Sequence, residues 1–155
     1  MLCEETGRPV RVIVNAENGQ GIANFKASNE LGRSFARKLS ESKVDRLAAI
    51  IWQQGEADST RPPEQYKTDF LEIYNHWTDL PQIDRITFIS LGEIPGNQDG
   101  ANQAIINLPA LINGKITETK GLTLRSDGVH LDTEGTREAG RRHGRMILQN
   151  MSLRR

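Results

Sequence analysis

LAAIIWQQGEAD, Leu47 to Asp58, joins an apolar run to a polar loop. Its apolar run from Leu47 to Trp52 turns within three positions into amides and carboxylates around Gly55. Such a run, bounded by a Gly-containing polar segment, reads as a buried strand with a loop at its carboxyl end. Two further runs have the same form, Val10 to Ala16 (VRVIVNA) and Arg85 to Leu91 (RITFISL). Between them the spacing predicts two helices. One covers Asn29 to Ser42, with Leu31, Phe35 and Leu39 four apart. The other covers Pro63 to Leu80, with Tyr66, Phe70, Ile73, Tyr74 and Trp77 as its apolar positions and Pro63 in its first turn. A last helix is expected over Glu134 to Met151, capped by Asp132 or Thr133. Apolar strands separated by crossover-length helices give an α/β fold, a parallel sheet covered on both faces. A chain of 155 residues is expected to form a single domain over 1–155.

In such sheets ligands bind beyond the carboxyl ends of the strands. That rule gathers the polar segments NAENGQGIANF (15–25), QQGEAD (53–58) and LGEIPGNQDGAN (91–102) at one edge, while LRSDGVHLDTEG (124–135) precedes the last helix. Composition narrows the partners. Twenty basic and 20 acidic residues are spread along the chain, so nothing supplies the positive field that a phosphate backbone requires, and no nucleic acid is expected. A single cysteine, Cys3, excludes an internal disulfide and a cysteine-based zinc site. No run of about 18 apolar residues exists, and MLCEETGRPVRV lacks the apolar region of a signal peptide, so no membrane partner is expected either.

The sharpest chemical signal is Asp127-Gly128-Val129-His130. A carboxylate three residues before a histidine can turn back and accept the Nδ1 proton, which leaves Nε2 free to act as a base. An Asx-type turn leading into a helix, with His130 as a cap or packing group, has the same spacing. His76 and His143 fall inside predicted helices without a nearby loop carboxylate and read as structural or solvent-facing. If their loops meet, Gln54 and Gly19 could supply a side-chain amide and a backbone N–H to one oxyanion. Their alternatives are a surface amide and a turn glycine. Glu56 and Asp58, with no histidine beside them, read as loop supports rather than metal ligands. Phosphate-loop, dinucleotide, HExxH and GxSxG signatures are absent, and Ser34 in GRSFA lies within a helical pattern.

Taken together, these segments resemble the SGNH hydrolases, in the branch of sialate O-acetylesterases and plant-type carbohydrate acetylesterases. The branch carries a W-x-Q-G-E-x-D block, which Trp52 to Asp58 matches at every fixed position. Ala16 to Phe25 follows the spacing of its A-x-G-G-T-x-I-x-x-W block, with Asn18, Gln20 and Phe25 as departures, and Asp127 to Leu131 reproduces its D-G-x-H-L block. The resemblance implies a three-layer α/β/α, flavodoxin-like parallel sheet and hydrolysis of acetyl esters on sugars, with an acetylated carbohydrate as substrate. It further implies His130 as general base, Asp127 as its orienting partner, and the Gly19 N–H and Gln54 side chain as oxyanion hole. Trp52, Gly55, Glu56 and Asp58 would support the site. No metal and no organic cofactor is implied.

The family's nucleophile is a serine in a G-Q-S-N-like block upstream of the glycine block. No serine precedes Ser28 here, and no nucleophile is identified. The expectation is therefore a domain lacking its first strand–helix element, on the order of 30 residues. Such a chain would be prone to self-association at the edge so left and would have little or no turnover of its own. The alternative is a catalytically dead carbohydrate-binding or scaffold domain of the same fold, or a nucleophile supplied by a partner chain.

Overall fold

The computed structural model describes residues 2–85, 87–96 and 99–152. Ile86, Asn97 and Gln98, which fall within the segments expected at 85–91 and 91–102, lie outside the described residues, as do Met1 and residues 153–155 of the expected domain. In chain order the regular elements are α1 (Leu2–Thr6), α2 (Glu30–Ser42), β1 (Ala49–Trp52), α3 (Pro63–Thr78), β2 (Phe88–Gly92), α4 (Asp99–Asn107), β3 (Gly114–Thr117) and α5 (Thr133–Ser152). The three strands form one parallel sheet in the order β1-β2-β3, with Trp52 opposite Leu91 and Leu91 opposite Ile116.

The alternation of side chains along the strands sorts the sheet into two unlike faces. Ile50 and Trp52 of β1 and Ile89 and Leu91 of β2 point to one side, into a core completed by Tyr66, Phe70, Ile73 and Trp77 of α3 and by Ile105 of α4. Trp52 anchors it, with Phe25, Phe70 and Trp77 meeting its ring edge-on at centroid distances of 5.2, 5.4 and 5.6 Å. Edge-to-face pairs of this kind add about 0.5–1.5 kcal/mol each beyond area burial. The opposite face carries Ser90 and is covered by α5, which packs on β2 and β3 and leaves Ile51 of β1 half exposed. Helices thus flank a parallel sheet on both sides, as a flavodoxin-like fold requires.

The expected strand at Val10–Ala16 is corrected. The segment forms no strand, and no backbone hydrogen bond ties it to another segment among the described residues. Val10, Val12 and Val14 face solvent, Ile13 packs against the core, and side-chain-to-backbone bonds tie the segment to α2. Arg11 Nη1 donates to Ser42 O, Lys38 Nζ to Val14 O, and Asn15 Nδ2 to Leu31 O. Its β-branched residues favour extended backbone, but extended backbone becomes a strand only where a neighbour completes the ladder. The sheet's third strand is instead Gly114–Thr117, which the sequence reading did not find. The segment expected as a loop over 91–102 likewise contains the end of β2 and the first turn of α4.

Candidate active site

At the carboxyl edge of the sheet, β1 runs straight into Gln53–Asp58. Gly55 makes the turn at φ +153°, and a Cβ there would lie 2.6 Å from Ile94 Cγ1 and 2.9 Å from Ala101 Cβ, so only glycine lets this loop close on the β2–α4 connection. Glu56–Asp58 then form a short 3-10 turn. Asp58, almost fully buried, is its working residue: one carboxylate oxygen accepts the Gln54 Nε2–H at 2.6 Å and the Ile22 backbone N–H at 2.7 Å. Arg61 Nη1 stands 3.7 Å from the other oxygen and also pairs with Asp69, which Lys26 bridges at 2.8 Å. The loop after residue 16 is thereby fastened to β1 and α3.

These bonds fix the Gln54 amide. Its nitrogen donates to Asp58 and, at 3.2 Å, to Gln20 O, while its oxygen accepts from the Tyr66 hydroxyl at 2.9 Å. A flipped amide would set its oxygen against a carboxylate, so the orientation is determined. Burial pushes the Tyr66 phenol well above its ordinary pKa, which keeps it a donor, and it also lies within 2.8 Å of Gln54 O. Trp52 Nε1 donates to the same phenol oxygen at 3.2 Å, so the tryptophan of the motif supports the glutamine through Tyr66. Glu56 heads the turn and makes no hydrogen bond or ion pair to the described residues. Gly19, at φ +71°, directly precedes the Gln20 carbonyl that Gln54 grips, so the loops that carry Gly19 and Gln54 meet at Gln20.

The second half of the site is the turn before α5. Leu124 and Leu131 form an antiparallel bridge, Arg125 N–H donates to His130 O, and Gly128 turns at φ +69°. Within it Asp127 Oδ1 accepts the N–H groups of Val129 and His130, both at 2.9 Å, and Oδ2 sits 2.9 Å from His130 Nδ1. The two backbone N–H bonds and then the ring lower the Asp127 pKa to about 2, so it is an anion across the physiological range. With Nδ1 facing that anion, the neutral ring carries its proton on Nδ1, and Nε2 is the free lone pair. The Asx-type turn and the carboxylate–imidazole contact, alternatives in the sequence, occur together in one turn. Asp132 caps α5 by accepting Gly135 N–H at 2.8 Å.

The two halves meet through the β2 exit. Gly55 abuts Ile94, and Gly96 approaches Gly128 so closely that a Cβ on it would lie 2.7 Å from Gly128 O. Among the described residues no serine hydroxyl is bonded to His130. The serine that does pair with a histidine is Ser90, 2.8 Å from His143 Nδ1, and it is fully buried beneath α5. Sequence reading missed this pair, because a serine inside a strand and a histidine inside a helix carry no local motif. Among the described residues no group of three or more His, Cys, Asp or Glu is placed to hold a metal ion, and no helix is long and apolar enough to cross a membrane.

The profile of the family described as carbohydrate esterase, sialic acid-specific acetylesterase matches residues 1–149, nearly the whole chain. The chain belongs to this family. A probable carbohydrate esterase of Arabidopsis thaliana is 26% identical over 142 residues, which are 87% of this chain and 54% of that protein. The X-ray structure from the same Arabidopsis locus superposes with a TM-score of 0.74 at 25% identity, covering 85% of this chain and 58% of that one. The chain therefore spans little more than half the length of these relatives. The carbohydrate esterase fold accounts for the parallel sheet, and Phe25, standing where the motif has tryptophan, keeps an aromatic edge against Trp52.

Proposed function

We propose that this carbohydrate esterase domain serves the removal of O-acetyl groups from sugars, with His130 as general base and Asp127 as its orienting partner. The observation that carries the reading is the Asp127–His130 pair, an anion fixed by two backbone N–H groups that holds a half-exposed ring by Nδ1 and leaves Nε2 as the basic nitrogen. In the reaction, Nε2 takes the proton of a serine hydroxyl as its oxygen attacks the acetyl carbonyl, then returns it to the departing sugar oxygen. Water, activated by the same ring, frees acetate from the serine. The Gly19 N–H and Gln54 Nε2–H are the donors for the tetrahedral oxyanion. Of the two Gln54 protons, the one on Gln20 O, at 3.2 Å, is the one to turn to substrate, while the shorter bond to Asp58 aims the amide.

The nucleophilic serine is none of those in this chain. The buried Ser90–His143 pair and the lack of any serine on His130 among the described residues support that reading. The 155 residues alone are then expected to turn over little or no ester. A fluorophosphonate probe tests this, since stoichiometric labelling of any serine in the chain would refute it. The wider reading is tested on a longer polypeptide that joins a G-Q-S-N or G-D-S block, after a short apolar strand, to these residues. It should deacetylate O-acetylated sialic acid or xylan and lose that activity in His130→Ala. A longer polypeptide that carries the block and deacetylates neither would overturn it.

A further inference from the structure

We infer that His143, buried in α5, is a positioning residue that fixes the end of β1, where Gln54 begins its loop, relative to the helix that follows His130. One backbone carbonyl sets the direction of every bond that follows. Gln53 Nε2 lies 3.1 Å from Glu93 O, which can only accept, so this end of the Gln53 amide is its nitrogen and Oε1 faces the other way. Oε1 lies 3.2 Å from His143 Nε2, which must therefore carry the ring proton. His143 Nδ1 is then a bare lone pair, 2.8 Å from Ser90 Oγ, so the Ser90 hydroxyl donates to it. With its proton spent, Ser90 can only accept from Thr117 Oγ1, also 2.8 Å away.

The result is a directed chain of hydrogen bonds, Thr117 to Ser90 to His143 to Gln53 to Glu93 O, in which each proton has one place. It crosses β3, β2, α5 and the ends of β1 and β2. Ser90, Thr117 and His143 are each at most 4% exposed, so water does not substitute for a lost member. Glu93 is itself held, its N–H donating to Thr117 O and its carboxylate accepting Thr119 N–H at 3.0 Å. The Gln53 amide crosses over Gly92 with its oxygen nearest, 1.7 Å from where a Cβ would sit, so β2 keeps a glycine at the point the chain crosses. Residues 53 and 54 point to opposite faces, the first to α5 and the second to Asp58 and Tyr66. Pinning one sets the other. Since α5 begins at Thr133, the same pin holds the helix whose entry carries His130.

Describing this as positioning rests on the esterase reading of Gln54 and His130, but the test reads neither substrate nor turnover. Two-bond ¹H–¹⁵N spectra of the wild-type chain report the tautomer of His143. A protonated Nε2 and bare Nδ1 are expected, and a protonated Nδ1 would overturn the chain's direction. His143→Phe keeps bulk and removes both bonds; the Gln54 side-chain amide and His130 ring resonances should shift. His143→Gln retains a donor toward Gln53, and there the Gln54 signals should return toward wild type. Ser90→Ala, the mildest cut, should shift the same signals less, and it decides the matter if His143→Phe does not fold. Variants that melt earlier while leaving the Gln54 and His130 signals unmoved would make His143 a core histidine and nothing more. A failed deacetylation assay on the longer polypeptide would refute the esterase reading and leave this chain of bonds standing.

Discussion

Gln54 Nε2 lies 2.6 Å from an Asp58 oxygen that also accepts the Ile22 backbone N–H, so one buried carboxylate joins the β1 loop to the loop after residue 16. Removing it strands two buried donors and leaves Arg61 with Asp69 alone. Breaking a buried charged cluster from one side costs about 3–5 kcal/mol, and Asp58→Ala should lose about that much. Asp58→Asn can keep an oxygen at the shared position but turns an N–H toward Arg61 in place of the other oxygen, and should lose less, about 1–2 kcal/mol. Urea unfolding of the two variants measures the difference. Equal losses would mean that the carboxylate does not clamp the two loops.

Two glycines with positive φ separate backbone strain from crowding. Gly121 turns at φ +78° with nothing within 4 Å of a built Cβ, so Gly121→Ala should cost only the backbone term, about 1 kcal/mol. Gly55 has both terms, φ +153° and a Cβ 2.6 Å from Ile94, and Gly55→Ala should cost about 3 kcal/mol or more. Thermal melts of the pair check the ranking. The same substitution should also disturb the Gln54 amide resonances, which Gly121→Ala should leave in place.

Much of this architecture is written locally. The 3.6-residue spacing of Leu31, Phe35 and Leu39 and of Tyr66, Phe70, Ile73 and Trp77 places α2 and α3 to within two residues, because burial of one helix face repeats at that period. Asp127 and His130 are three apart on one turn, so their pairing needs no distant contact. What sequence could not carry is what depends on neighbours. Gly114-Lys115-Ile116-Thr117 has one large apolar residue and becomes β3 only because β2 offers it a ladder. Val10–Ala16 has the better strand composition and pairs with nothing among the described residues. The Gln53–His143 contact spans 90 positions, and no periodicity announces it.

Asp127 is exposed, yet it accepts three bonds within four residues. Asp127→Ala should therefore leave global unfolding nearly unchanged while freeing the turn. Hydrogen exchange at the Val129 and His130 amides is the direct measurement, with an increase of about tenfold expected from the loss of one net hydrogen bond at each. Asp127→Asn keeps an acceptor for both amides, so their protection should largely survive. If both variants exchange like wild type, the carboxylate does not order the turn.

His143 makes stability depend on acid. Burial holds its folded pKa down at about 4, against an ordinary value of 6.5 that the unfolded chain should show. Between these values the unfolded state binds the extra proton, so stability falls as pH drops from about 6.5 and levels off below about 4. The full difference is about 3 kcal/mol, at 1.36 kcal/mol per pH unit. Asp127, exposed and bonded within its own turn, titrates below this window, its carboxyl pKa lowered to about 2. Unfolding free energies of wild type and His143→Gln at pH 7 and pH 4.5 isolate the histidine. Wild type should lose most of that 3 kcal/mol over the interval relative to the variant, whose residue 143 does not titrate. Parallel curves for the two proteins would mean that His143 is hydrated and charges normally in the folded state.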